Sequence, residues 1–282
     1  MYEAGVTPVY DYGASIWGFN KSNNHADLVQ NRAMRYFLGV NRFTAIPALA
    51  GEMGWYPTKY SKYICMLQLW NRLIKMSDDR LPKRLFYIDY ERATARNCNN
   101  WCNNVREVFS LLDEQDIYCG KKVCNIGHCW NKFMSIAQEE WKSNVLAKPK
   151  LRTYNIFKNN LCTSDYVEKI TSRYDRSMLA KFRCGVLQLH IETGRYTNKK
   201  VEERVCYMCD KRETEDEYHF LCKCPYYADE RKVLYDNIST RNEMFMTMSD
   251  EDKFTYLMSE CSINVCKYIK VAWEKRRNKL YQ

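Results

Sequence analysis

The chain has 282 residues, of which 46% are hydrophobic and 28% are charged, so it can bury a core and extensive disorder is excluded. Only 10 Gly and 6 Pro are present, which argues against turn-rich all-β folds and favours long helices. No stretch of membrane-spanning length is free of charge, and the first residues lack the basic and apolar blocks of a secretory signal. The sequence therefore predicts an intracellular, mainly α protein with reduced cysteines and no membrane partner.

Positive charge is concentrated in one part of the chain. The formal net charge is +10, and residues 141–204 alone carry 14 basic and 6 acidic side chains. Such a block is expected where a protein faces a polyanion. A solvated basic face without a partner remains the alternative.

The first half of the sequence has the pattern of a helical bundle. Residues 1–20 predict an extended or short helical lead-in. A helix is predicted at 25–38, with Gly39 as its C-terminal stop. Pro57 opens a longer helix, whose apolar stripe includes Trp70. Further apolar periodicity predicts helices at about 82–96, 101–114 and 130–146.

The pattern changes at Lys148–Arg152, which is the predicted boundary between segments 1–147 and 148–228. Beyond it, Ser164 can cap a helix that begins at Asp165, and another helix covers about 176–186. A helical C-terminal tail is predicted at 229–282. There, Ser249 with Asp252 resembles a capping box, and a final amphipathic helix ends in a basic run.

A cysteine and histidine motif is the strongest chemical signal. Cys206 and Cys209 form a C-x2-C pair, and His219 follows with Cys222 and Cys224 behind it. Three thiolates and one imidazole fill a tetrahedral Zn²⁺ site and leave no position for a reacting water, so the pattern predicts structural zinc in a small CCHC knuckle. Cys224 is the preferred fourth ligand, because helical spacing from His219 favours it, and Cys222 is the alternative.

Two other groups of residues invite chemical interpretation, and both have simpler explanations. A second cysteine cluster has spacings that fit amphipathic helices better than a metal site; its members are Cys98, Cys102, Cys119, Cys124, His128 and Cys129. Met76–Asp79 superficially resembles the aspartate pair of polymerases, but no strand pattern surrounds it. No catalytic residue is therefore predicted, and neither is a small-molecule substrate.

The basic block alternates cations with aromatic residues, which suggests phosphate contacts and base stacking. Its aromatic residues can equally belong to a core. The predicted nucleic-acid-binding cations are Lys148, Lys150, Arg152, Lys158, Lys181, Arg183 and Arg195.

Several motifs follow one another in a fixed order. They are Tyr12–Gly18, Gln30–Val40, Lys150–Tyr154, Phe157–Lys158, Leu179–Arg183, Ile191–Tyr196 and the Cys206/Cys209/His219/Cys224–Pro225 motif. In this order, over about residues 5–227, they resemble the C-terminal region of non-LTR (LINE-type) retrotransposon reverse transcriptases. The resemblance implies that residues 1–147 are the thumb-like region after the polymerase palm.

In that family this region helps to grip template RNA and target DNA. The palm with its catalytic aspartates and the endonuclease are not recognisable here, so the expectation is a nucleic-acid-binding fragment without catalysis of its own. The alternatives are part of an active RNA-directed DNA polymerase polyprotein and a non-catalytic scaffold. A nuclear location is expected, although the basic run at 275–279 is equally a solvated helix end.

Overall fold

The fold is mainly helical, as the sequence predicts. The computed structural model describes residues 2–19, 25–96 and 99–280, and 70% of the structure is helix. Within these residues there is no strand, only isolated antiparallel bridges that join Met53 to Thr163 and Val205 to Thr214. No helix in the described ranges is both long and apolar enough to cross a bilayer.

The longer helices are distributed along the whole sequence. In order they are α1 (His25–Leu38), α2 (Ile46–Met53), α3 (Lys59–Lys75), α4 (Leu81–Arg96), α5 (Trp101–Leu111), α6 (Ile126–Leu146), α7 (Arg173–Arg183), α8 (Ala228–Ser239), α9 (Asp250–Glu260) and α10 (Ser262–Leu280).

Short helical turns connect the longer helices. The α-helical ones are Tyr2–Gly5, Thr7–Asp11, Ala14–Trp17, Gln115–Cys119, Tyr154–Phe157, Asp165–Lys169 and His190–Thr193. The remaining turns are the 3₁₀ segments Pro149–Leu151, Val201–Glu203, Pro225–Tyr227 and Glu243–Thr247, and the π-helical segment His219–Lys223.

Most predicted helices are confirmed, with small shifts at their ends. Gly39 terminates α1 with φ +64°, a conformation that glycine adopts without strain. The hydroxyl of Ser249 accepts a hydrogen bond of 3.1 Å from the Asp252 N–H, so the predicted N-cap of α9 is confirmed. Helix α2 is not predicted by the sequence pattern, whereas α8 lies in the helical tail predicted at 229–282, where the pattern gives it no bounds of its own.

The chain divides into two compact units, each built from separate stretches of sequence. Unit 1 comprises Met1–Gln30 and Tyr56–Glu140, and unit 2 comprises Asn31–Trp55 and Trp141–Gln282. This division differs from the predicted segments 1–147, 148–228 and 229–282, because residues 31–55 belong with the second half of the chain.

Trp70 on α3 is at the centre of unit 1. It is fully buried, and its ring lies 5.3–5.5 Å from the rings of Phe86, Phe109 and Tyr118. Its indole N–H donates to the Lys122 carbonyl at 2.9 Å, so the polar edge of the ring is satisfied as well. Aromatic packing of this kind stabilises the bundle that the sequence predicts.

The second cysteine cluster lies in unit 1. Cys102, Cys124 and Cys129 are buried in its core, and Cys119 is exposed. The His128 ring lies 3.2 Å from the Glu114 carboxylate, and Cys98 lies outside the described residues. Among the described residues, this cluster does not gather ligand atoms around a common point.

Unit 2 is held together across long sequence separations. The Trp141 indole donates to the Pro47 carbonyl at 2.7 Å. The Arg183 guanidinium donates to both oxygens of Glu52, at 2.8 and 3.2 Å, and both side chains are buried. These contacts explain why residues 31–55 belong to unit 2.

The Glu52–Arg183 pair gives a stability prediction. Arg183→Met leaves the Glu52 carboxylate buried without its partner, and breaking such a pair typically costs about 3–5 kcal/mol in the free energy of unfolding. Denaturant unfolding measures the loss. Arg173→Met is the matched control, since Arg173 lies on the same helix with an exposed side chain, and it should change stability little. Equal losses in the two variants would contradict the prediction.

Candidate metal centre and basic cleft

Three cysteines and one histidine of unit 2 converge on one point. The ligand atoms of Cys206, Cys209, His219 and Cys224 all lie within 4.8 Å of one another. The Cys206 and Cys224 sulfurs are 3.8 Å apart, and the Cys209 sulfur is 3.5 Å from Nε2 of His219. We call these four residues the Cys/His cluster, and it could hold a metal ion.

The distances within the cluster can be compared with a tetrahedral zinc site. With Zn–S of about 2.3 Å and Zn–N of about 2.0–2.1 Å, tetrahedral angles place two sulfurs about 3.8 Å apart and a sulfur and a nitrogen about 3.6 Å apart. The two measured separations, 3.8 and 3.5 Å, match these values. The donor set and these two separations therefore fit Zn²⁺, and all four ligand atoms lie within 4.8 Å of one another.

Local backbone geometry positions the ligands. The Val205–Thr214 bridge and a 2.8 Å bond from the Cys206 N–H to the Glu213 carbonyl close the loop that carries the C-x2-C pair. His219 and Cys224 are joined by a π-helical turn, in which the Cys224 N–H donates to the His219 carbonyl at 2.8 Å. Helical spacing from His219 is the reason that the sequence favours Cys224, and the turn observed is the wider π turn, which brings residues five apart to the same side.

Glu213 fixes the orientation of the histidine ring. Its Oε2 lies 2.9 Å from Nδ1 of His219, which therefore donates its proton outward. Nε2 is then left as the lone-pair nitrogen, directed into the cluster. A carboxylate behind a metal-binding histidine is a common supporting contact, because it sets the tautomer and makes the nitrogen a better ligand.

Cys222 points away from the cluster. It is buried, and burial raises the pKa of its thiol to about 12. Its neighbours Phe220 and Leu221 are fully buried, and the Phe220 ring packs 5.8 Å from that of Tyr268. The π turn thus directs Cys224 to the metal ligands and Cys222 to the hydrophobic core.

Protonation of the thiols is coupled within the cluster. The hydrogen bond between Cys206 and Cys224 raises the pKa of Cys206 and lowers that of Cys224, and burial adds to the increase at Cys206. A metal ion binds thiolates, so its binding would release protons from these groups.

A buried ion pair connects the Cys/His loop to the C-terminal helix. Glu215 and Arg276 are both buried; Arg276 donates to both carboxylate oxygens, and one of these bonds is 2.8 Å. The same carboxylate accepts a 2.7 Å bond from the backbone N–H of His190. The loop is therefore fixed to α10 and to the turn at His190–Thr193.

Two of the predicted nucleic-acid-binding cations, Arg183 and Lys158, are buried, which does not favour them as contacts of a nucleic-acid backbone. Arg183 is 3% exposed and paired with Glu52. Lys158 is 9% exposed, and its ammonium donates to the Cys162 carbonyl at 2.7 Å and to the Ser164 hydroxyl at 3.0 Å. Both side chains are thus engaged with groups of the chain itself rather than presented on an open surface.

Three more of the predicted cations form ion pairs with buried carboxylates. Arg152 lies 3.0 Å from the buried carboxylate of Glu217. Lys150 and Arg195 share the carboxylate of Glu192, at 2.5 and 3.6 Å respectively. The last two cations of the set, Lys148 and Lys181, are exposed and half-buried respectively.

Several of these cations border one basic cleft of unit 2, with a volume of about 480 Å³. Its main lining residues are Arg35, Phe43, Ile46, Lys148, Lys150 and Arg195. No carboxylate is among the described residues that line it. Phe43 is 60% exposed, and Arg42 covers its ring at 4.8 Å.

The sequence does not predict Arg35 or Phe43 as part of this cleft. Tyr36 and Phe37 follow Arg35 directly, and a cation beside aromatic residues is the same pattern that marks the basic block. Of the aromatic residues in that block, Tyr154, Phe157 and Tyr166 are core residues, whereas Tyr174 and Tyr196 are exposed.

Comparison of the chain with protein-family models, with curated proteins and with solved structures finds no match. The geometry of the cluster and of the basic cleft is therefore the basis for assigning a function.

The choice between Cys224 and Cys222 can be tested by metal content. Cys224→Ser should lose the bound metal, because it removes one of the four converging ligands. Cys222→Ser should keep it, because this thiol faces the core. Elemental analysis of the purified variants measures the metal-to-protein ratio, and retention by Cys224→Ser together with loss in Cys222→Ser would reverse the assignment.

Glu213 should affect metal affinity without changing the ligand set. Loss of a carboxylate behind a ligating histidine typically lowers metal affinity about 10–100-fold, and we expect this of Glu213→Ala. Competition with a chromophoric chelator measures the affinity. Asp210→Ala removes an exposed carboxylate of the same loop and serves as the control. Identical affinities in the two variants would show that Glu213 has no such role.

Proposed function

We propose that this chain is a nucleic-acid-binding protein without catalysis of its own, whose Cys/His cluster holds a structural Zn²⁺. The observation that carries the proposal is the convergence of Lys148, Lys150 and Arg195 on one cleft. Three of the seven cations that the sequence nominates for phosphate contacts are thereby brought together.

The charge balance of the cleft favours an anionic ligand. The carboxylate of Glu192 lies between Lys150 and Arg195 and can neutralise only one of them. Lys148 adds a further exposed cation, and Arg35 donates to the carbonyls of Asn31 and Thr44, at 3.3 and 3.5 Å, and pairs with no carboxylate of the described residues. An excess of cations along a groove is the electrostatic pattern that phosphate backbones require.

Phe43 supports a single-stranded ligand over a duplex. Its exposed ring borders the same cleft as the cations, and bases stack on such rings only when they are unpaired. Stacking of this kind contributes about 1–3 kcal/mol per base. Cations for the backbone with an aromatic ring for a base are the usual components of a single-strand site.

The zinc proposal rests on the donor set and its distances. Three sulfurs and one nitrogen occupy all four tetrahedral positions, so the ion would stabilise the fold and would have no open position for a substrate. Metal binding at such a site can contribute on the order of 10 kcal/mol to folding. The ion would hold in place the loop that carries Glu215 and Glu217. Glu217 in turn pairs with Arg152 of the basic block.

The resemblance to non-LTR reverse transcriptases supports the same function. In that family the corresponding region helps to grip template RNA and target DNA. A part of a larger polymerase would fit the same observations, since the proposed binding would then serve an active site on another segment.

Salt-dependent binding tests the cleft. Fluorescence anisotropy of the zinc-loaded chain with single-stranded RNA should show affinity that falls with salt, by about 0.7 log units per log unit of salt for each phosphate contact. Lys148→Ala should reduce the steepness of this salt dependence by about 0.7, which is the contribution of one phosphate contact. Lys148 suits the test because its exposed side chain can be removed without breaking a buried pair.

Lys232→Ala, which removes an exposed cation of α8, is the control for net charge. The same slope change in both variants would indicate a nonspecific effect of charge. A folded, zinc-loaded chain that binds neither RNA nor DNA would overturn the proposed function and leave a scaffold as the better interpretation.

A further inference from the structure

A second pocket of unit 2 is polar and differs in character from the basic cleft. It has a volume of about 280 Å³, below the range of about 300–1,000 Å³ that is typical for drug-sized ligands. Hydroxyl and amide groups line much of it, from the residues Asn159, Asn160, Thr163, Ser164, Ser259 and Ser262. Its size and lining suit a small polar ligand.

Two buried cations border this pocket with one buried carboxylate behind them. Lys158 and Arg183 are among its lining residues, and they are 9% and 3% exposed. Glu52 is fully buried and is engaged by two bonds from Arg183. Burial raises the pKa of Glu52, but the charges of Arg183 and Lys158 outweigh it and lower the pKa, so the carboxylate is ionised at neutral pH.

The resulting group carries a formal charge of +1. The Lys158 ammonium is bonded to a carbonyl, a hydroxyl and, at 3.6 Å, the Cys162 sulfur, and to no carboxylate of the described residues. Glu52 and Asp165 interact with it electrostatically, but Glu52 is already paired with Arg183 and Asp165 with Lys169. Enclosing the excess positive charge is costly. An anion in the pocket would balance this charge.

Ser164 supplies a hydrogen-bond donor at the same place. Its hydroxyl oxygen accepts from Lys158 at 3.0 Å and from Arg183 at 3.5 Å. It stands at the N-cap of Asp165–Lys169 but does not make the capping bond that the sequence predicts for it. Because the oxygen already accepts two bonds from cations, its proton is left for an acceptor such as an anionic oxygen.

The acidic side chains of the pocket are at its edge. Asp165 is exposed and forms an ion pair with Lys169 at 2.6 Å, which neutralises it locally. Glu260 is exposed to solvent. Neither is enclosed with Lys158, so the interior of the pocket keeps its positive charge.

We propose that this pocket binds a small tetrahedral oxyanion of the phosphate class, either free or as the terminal group of a small phosphorylated molecule. Ser164 would donate to it directly, and Lys158 would donate to it in place of its weak bond to the Cys162 sulfur. The site is separate from the basic cleft. It does not depend on nucleic-acid binding, because the two sites share no lining residue.

Thermal unfolding of the zinc-loaded full chain in inorganic phosphate tests the proposal, with ionic strength held constant by chloride. A ligand that binds only the folded state raises Tm in a saturable way. Ser164→Ala should weaken phosphate binding by about 10-fold or more, because hydrogen bonds to charged groups are the stronger ones. Ser239→Ala removes an exposed serine hydroxyl outside the pocket and should bind phosphate like the parent chain.

Lys158→Met should abolish the saturable shift, and Ser164→Ala keeps the test decisive if the lysine variant does not fold. Adenosine 5′-monophosphate, with adenosine as its control, distinguishes the two sources of the oxyanion. A shift with phosphate alone indicates a free anion, and a comparable shift with the nucleotide indicates a phosphorylated molecule.

Two results would overturn the proposal. One is a Tm that rises linearly with phosphate and does not saturate. The other is saturable binding of equal affinity in the parent chain, Ser164→Ala and Ser239→Ala.

Discussion

The packing of unit 2 depends on one electrostatic constraint: a buried carboxylate needs an ion-pair partner. Glu52, Glu215 and Glu217 are almost wholly enclosed, and each is bonded to an arginine from a distant part of the chain. A carboxylate buried without such a partner would cost several kcal/mol. The partners Arg183, Arg276 and Arg152 therefore determine which segments of unit 2 lie together.

The same requirement connects the Cys/His cluster to the rest of unit 2. Glu215 and Glu217 lie in the loop between the C-x2-C pair and His219. Glu215 accepts from Arg276 of α10, and Glu217 accepts from Arg152 of the basic block. An ion in the cluster would fix this loop, and with it the positions of both carboxylates. Metal binding and ion pairing then stabilise one arrangement together.

Sequence patterns predict local structure well here, because periodicity and capping depend on nearby residues. The helices α1, α3 and α7 and the Ser249 cap are of this kind, and so is the C-x2-C pair. The role of Arg183 could not be predicted, because a cation is buried or exposed according to partners far away in the sequence. Ser164 illustrates the same limit, since tertiary contacts with Lys158 and Arg183 replace its local capping bond.

The Glu52–Arg183 pair also has a consequence for synthesis on the ribosome. Its two members are 131 residues apart in the sequence. At about 5–20 residues per second, roughly 7–26 s pass between the addition of Glu52 and that of Arg183. Residues 31–55 must therefore stay hydrated or chaperoned while residues 56–140, the second stretch of unit 1, are made, and the nascent chain can complete unit 1 before unit 2 begins to assemble.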